Sequence, residues 1–206
     1  MRWLKHLVAR FGAERHFPAA TLDAIQHAIA ASEHRHLGEI CFAVEGGMPF
    51  GEVVAGRTSR ERAEAAFARL RVWNTEHNTG VLVYILTADH AIEIVADRGI
   101  AAKVGEDEWR AICALMQPDF AAGEYEKGSL AGVAAITEVL VRHFPSNGKR
   151  NRDELPDRPV LLCRSVVESV GEYRVAELLE TRLQRPALIA CRFIAIRTDV
   201  DGGHTR

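Results

Sequence analysis

The chain has 206 residues, 48% of them apolar, with 26 basic and 28 acidic side chains and a formal net charge of −2. That length suits one domain with an appendage, and the apolar share is enough to fill a core. The near-neutral balance argues against a general nucleic-acid or anionic-membrane binder, whose affinity rests on excess Lys and Arg.

Residues 1–16, MRWLKHLVARFGAERH, read as an amphipathic basic helix with Trp3, Leu4, Leu7, Val8 and Phe11 on one face. Lys5, His6 and Arg10 break the apolar run, so no secretory h-region is expected, and no window approaches the ~18 apolar residues of a transmembrane segment. The ordinary role for such a helix is packing on its own domain. The sharper one is contact with a membrane surface, which needs more charge or a second anchor to be stable.

After Pro18, Thr21 is placed to cap a helix over about 20–35, with Leu22, Ile25, Ala28 and Ile29 as its stripe and Gly38 ending it. GEICFAVE (38–45) alternates as a strand with one strongly apolar face, Ile40, Phe42 and Val44. A Gly-rich loop fills 46–57. Thr58 and Glu61 form a capping box that opens a helix over about 59–74, with Ala63, Ala66, Phe67, Leu70 and either Trp73 or Asn74 inward.

GVLVYILT (80–87) is continuously apolar, as in a central strand covered on both faces. Strand, helix and strand of these lengths predict a parallel crossover. A tight Ala88-Asp89-His90 turn then sends 90–96 back antiparallel. A helix near 106–116, a loop QPDFAAGEYEKG and a helix over about 128–144, stopped by Pro145, complete the domain. Residues 146–159 read as a polar linker. In 160–206 a helix from Ser165 to about Gln184 and a strand over 187–196 are the candidates. The cysteines, Cys41, Cys113, Cys163 and Cys191, form no C-x-x-C pair, which argues against structural zinc and for a reduced, cytoplasmic setting. Cys41 and Cys113 read as buried thiols.

Several motifs occur in a recognisable order. A capped helix runs to Trp73, Asn78 and Gly80 open the central strand, and Ile92-Glu93-Ile94 forms the next. Pro118-Asp119-Phe120 leads through Gly123, Tyr125 and Gly128 to the last helix. Over about residues 17–145 this pattern resembles the TPM domain family. The fold implied is α/β, a three-layer α/β/α sandwich whose small mixed sheet combines a parallel βαβ unit with an antiparallel hairpin strand. The glycine-rich turn of the pattern is replaced here by Val95-Ala96-Asp97-Arg98-Gly99. The chain looks like the soluble bacterial branch, whose members tend to stop soon after a segment like Glu154–Pro159. Residues 160–206 are then an atypical C-terminal extension.

The topology sorts the acids. Glu45 and Asp89 fall at the carboxyl ends of two parallel-run elements, the edge where open α/β sheets bind ligands. Free amides in the Gly-rich loop and at the helix start near Thr58 are candidates to hold an anion there. Asp97 and Arg98 fall at the opposite edge, near Glu76 and Asn78. Glu93 and Asp97 share a strand face but stand roughly 13 Å apart, too far to share one ion. Asp89 beside His90 has no third orienting group, so no triad is assigned.

The resemblance implies a binding module in envelope or membrane-protein maintenance, with a membrane or envelope protein as partner and a place in the cytoplasm, peripheral to the inner membrane. It also implies that some relatives bind divalent cations, which makes calcium or magnesium the candidate cofactor and Asp89, Glu45, Asp97 and Glu93 the candidate ligands. One relative is assigned phosphatase activity, so a metal-assisted acid-phosphatase-like hydrolase is the alternative. A peripheral membrane adaptor acting through the N-terminal helix is a third reading.

Overall fold

A run without a charged side chain, Gly80–Leu86, must be covered on both faces, and it forms the central strand of a five-stranded sheet. The structure, a computed structural model, describes residues 2–9, 12–146 and 154–162, and the backbone of 187–192. In chain order the elements are α1 (Arg2–Ala9), α2 (Ala13–His16), α3 (Ala19–Glu33), β1 (Glu39–Glu45), α4 (Phe50–Val54), α5 (Ser59–Arg69), β2 (Gly80–Leu86), a 3-10 turn (Thr87–Asp89), β3 (Ala91–Ala96), α6 (Arg98–Ala101), α7 (Glu106–Ala121), α8 (Tyr125–His143), β4 (Val160–Leu161) and β5 (Ala187–Arg192).

The strand order is β4-β1-β2-β3-β5. β1 is parallel to β2 and β4, and β3 is antiparallel to β2 and β5. The expected crossover and hairpin are both present, joined by α5 and by the 3-10 turn. His90 closes that turn in the left-handed region, at φ 50°. Glu45 is level with Leu86, so the carboxyl ends of β1 and β2 share one edge.

The two faces of the sheet carry separate cores. On one, Ile40, Phe42, Val44, Val83, Ile85 and Ile94 pack against α3, α7 and α8 through residues such as Ile25, Trp109, Met116 and Ile136. On the other, Cys41, Ala43, Leu82, Tyr84 and Val95 pack against α5 through Ala63, Ala66 and Phe67, with Met48 and Val53 beside them. This is the α/β/α sandwich. Burial pushes the Cys41 thiol up to about 12, and Cys113 is buried too, so both thiols are inert.

Several expectations change in detail. β1 has no solvated face, because α5 covers the side carrying Glu39, Cys41, Ala43 and Glu45. α3 starts at Ala19 behind Pro18, and Thr21 donates to Glu126 instead of capping. The Gly-rich loop contains α4. α5 stops at Arg69, short of Trp73, after starting with the expected capping box. α7 runs through Pro118 to Ala121, and α8 begins at Tyr125, so the loop between them is far shorter than its composition implies. Tertiary packing of Phe120 and Tyr125, whose rings stand 5.3 Å apart, outweighs the local breakers.

Leu155 lies buried in the α5-side core, and Arg158 pairs with Asp23. β4 and β5 add a strand at either edge of the sheet. The helix expected over 165–184 lies outside the described residues.

Candidate functional site: the carboxyl edge of the sheet

Glu45 ends β1 and is buried beneath α5. A carboxylate there must be neutralised locally. The capping box sets the phase of α5 so that Arg62, one turn in, reaches back over the sheet. Its Nε donates to Glu45 Oε2 at 2.8 Å and its Nη2 to Oε1 at 2.9 Å. Nη1 donates to Glu52 on α4 at 2.9 Å. Tyr84, directly beside this on β2, donates its hydroxyl to Glu45 Oε2 at 2.5 Å. Burial and then the Glu45 charge hold the Tyr84 phenol well above its ordinary value. Burial alone would lower the Arg62 guanidinium, but the bonds and charges of Glu45 and Glu52 raise it instead.

Asp89 is the other acid of this edge, and α1 covers it. Arg2 forks onto it, Nε to Oδ1 at 3.2 Å and Nη2 to Oδ2 at 2.6 Å. His6, almost wholly buried, completes the clamp. The Met48 amide donates to His6 Nδ1 at 3.1 Å, which leaves the proton on Nε2 to be donated to Asp89 Oδ1 at 3.1 Å. Desolvation lowers the His6 pKa, against the raising charge of Asp89. Burial would raise the Asp89 pKa, but the Arg2 hydrogen bond and the His6 charge outweigh it and hold the carboxyl below its usual value. α1 lies so close that a Cβ on Gly47 would stand 2.3 Å from the His6 carbonyl oxygen.

The remaining candidates are elsewhere. Glu93, in mid-strand on the α5 face, is fully buried and accepts the Ser59 hydroxyl, while Arg60 feels its charge. Asp97 is at the opposite edge, where it caps α6 by accepting the Arg98 amide at 2.7 Å. Burial raises its pKa and the Arg98 contacts oppose the shift. Arg98 forks onto Asn78 Oδ1 at 2.7 and 3.0 Å, as the edge assignment requires. Asp119 pairs with Lys127. Among the described residues, no group of three His, Cys, Asp or Glu side chains is placed to hold a metal ion. The anion expectation meets the same obstacle, because the capping box takes up the Thr58 and Glu61 amides and His6 takes the Met48 amide.

Sequence reasoning missed the partners of the acids at this edge, Arg2, His6 and Arg62. For Arg62 a signal exists in the capping box, which fixes its helical phase. For Arg2 and His6 there is none, since nothing local ties them to Asp89. Of the two readings of α1, packing on its own domain would turn the apolar face inward, whereas the polar face is the one that docks.

The arrangement can be compared with known proteins. The model of the TPM domain matches residues 14–139. The NMR structure of the BA42 protein from the psychrophilic bacterium Bizionia argentinensis is similar at 28% identity, with a TM-score of 0.63, over 70% of this chain and 94% of that one. No curated protein matches. Among the described residues, no helix is long and apolar enough to cross a membrane. With the family model covering more than half of the chain, on the sandwich just described, this chain belongs to the TPM domain family.

Proposed function

We propose that the chain is a TPM-type binding module in envelope or membrane-protein maintenance, one that recognises its partner and does not transform it. The observation that supports this reading is the state of the two edge acids. Glu45 is matched by Arg62 and Tyr84, and Asp89 by Arg2 and His6, so each carboxylate already spends its lone pairs on protein donors. A divalent cation needs several such oxygens at about 2.3–2.6 Å. A general acid needs a carboxyl poised near working pH, and Asp89 is held the other way. The edge is a dock for α1.

Calorimetric titration with calcium and with magnesium, alongside melting curves, tests the reading. Neither heat nor a shift in Tm is expected. Heat that disappears in Asp89→Ala would turn the argument towards a divalent-cation site assembled when α1 leaves. Hydrolysis of an aryl phosphate by the wild type, above that of Asp89→Ala, would favour the hydrolase alternative.

A further inference from the structure

α1 is built the wrong way round for a helix packed on its own domain. Its polar face, Arg2 and His6, turns inward onto Asp89 and Met48. Its apolar face turns outward, with Trp3, Leu4, Leu7 and Val8 between 40% and 71% exposed. An outer helix normally does the reverse, because the apolar stripe gains most from burial. α4 packs beside α1 and repeats the pattern, leaving Phe50 64% and Val54 65% exposed. Trp3 joins the two helices, meeting Phe50 edge-on at 6.3 Å. Six large apolar side chains therefore point away from the protein at one end of the sheet. Scattered singly, such residues need no explanation, but a contiguous set does.

Charge says what covers them. The first sixteen residues carry four bases against one acid in a chain that is net negative overall. Lys5 is exposed beside the apolar stripe, and the acid of α4, Glu52, is paired with Arg62. An apolar face with Trp at its border and the exposed Lys5 at its flank, on the segment richest in bases, matches a leaflet carrying anionic headgroups. A second copy fits worse, since face-to-face docking would set the Lys5 side of each copy against the apolar face or the Lys5 side of the other, with no exposed α1 or α4 acid to match it. A short helix anchors weakly alone, and α4 supplies the second element that stable interfacial binding needs.

We propose that α1 and α4 together form an interfacial surface that seats on an anionic lipid bilayer, with Trp3, Leu4, Leu7, Val8, Phe50 and Val54 entering the headgroup boundary. The Asp89 clamp holds α1 in the orientation that presents them. This inference is independent of whether the acidic edge binds a cation or hydrolyses a phosphate.

The test is flotation of the full chain with vesicles of phosphatidylcholine containing phosphatidylglycerol at about one lipid in three. Binding is expected to vesicles containing phosphatidylglycerol, with a blue shift of emission that Trp3→Phe removes. At least about a tenfold loss of binding is expected in Leu4→Glu/Leu7→Glu, and separately in Phe50→Glu. All of these side chains are exposed, so unchanged melting temperatures should accompany the losses. Three results would overturn the proposal. One is failure to float, which would leave an apolar protein partner as the occupant. Another is equal binding to pure phosphatidylcholine or by the Glu variants. The last is lipid-free dimerisation that Leu4→Glu/Leu7→Glu abolishes, which would assign the face to a second copy.

Discussion

Arg2 and Asp89 stand 87 positions apart in the chain, yet Nη2 of one lies 2.6 Å from Oδ2 of the other. His6 meets the same carboxylate one helical turn later. These contacts fasten α1 to the sheet edge, and none of its residues joins either core cluster. Asp89→Ala should therefore release α1 and leave the sandwich standing. We expect amide exchange over residues 4–9 to quicken about 10- to 100-fold, as loss of charge-assisted hydrogen bonds worth roughly 1.5–3 kcal/mol implies, with little change in the global unfolding midpoint. Unaltered protection of α1 would show that the clamp is dispensable. The sign with pH follows from the lowered Asp89 pKa. Its contribution is present above the unfolded-state value of 3.8 and fades as pH falls below it.

Glu45 and Arg62 form the buried pair of the other edge group. Removing one partner strands the other charge beneath α5, which costs more than the pair itself contributes. Glu45→Gln should lower stability by about 3–5 kcal/mol in urea denaturation. Tyr84→Phe, which removes only one donor, should cost about 1–2 kcal/mol. If Glu45→Gln proved as mild as Tyr84→Phe, Arg62 would have to be solvated more freely than its burial implies.

Gly80 opens β2 under the loop that follows α5. A Cβ there would lie 2.0 Å from the Val72 carbonyl oxygen, a backbone atom that cannot swing aside. Gly80→Ala should cost about 3 kcal/mol or more. Gly51, inside α4, meets nothing within 4 Å, so Gly51→Ala should stabilise by about 0.5–1 kcal/mol through helix propensity and unfolded-state entropy. Thermal melts of the two variants should move in opposite directions.

His36 is fully buried, with Nδ1 donating to the Gly38 carbonyl at 2.9 Å. Desolvation lowers its pKa to about 4. Between pH 6.5 and 4 the unfolded chain takes up a proton that the fold refuses, so stability is full above 6.5 and falls as pH drops towards 4. The loss amounts to roughly 3 kcal/mol. His36→Asn keeps a donor near the Nδ1 position and cannot titrate. Denaturation midpoints measured across that range should fall less steeply in the variant than in the wild type, and parallel slopes would refute the assignment.

Much of the sandwich is legible in one dimension because its signals are local. Continuous apolarity over Gly80–Leu86 requires cover on both faces, and Thr58 with Glu61 fixes where α5 begins. The short turn at Asp89 forces β3 to run back, which in turn separates Asp97 from Glu45 and Asp89. Local signals mislead where packing outweighs propensity. Pro118 sits within α7, and YEKG opens α8, because Phe120 and Tyr125 gain more by packing together than the helix loses to a breaker.

The sequence by itself determined that β2 is covered on both faces, the directions of β1, β2 and β3, and the edge on which each acid falls, since these follow from periodicity and from loop length. Only the tertiary structure decided what the acids do. A carboxylate takes its partner from whatever the fold carries past it, and Coulomb attraction over about 3 Å is indifferent to a separation of 17 residues for Arg62 and Glu45 or 87 for Arg2 and Asp89. That same clamp turned the polar face of α1 inward and left its apolar face outside, an orientation that helical periodicity alone leaves open.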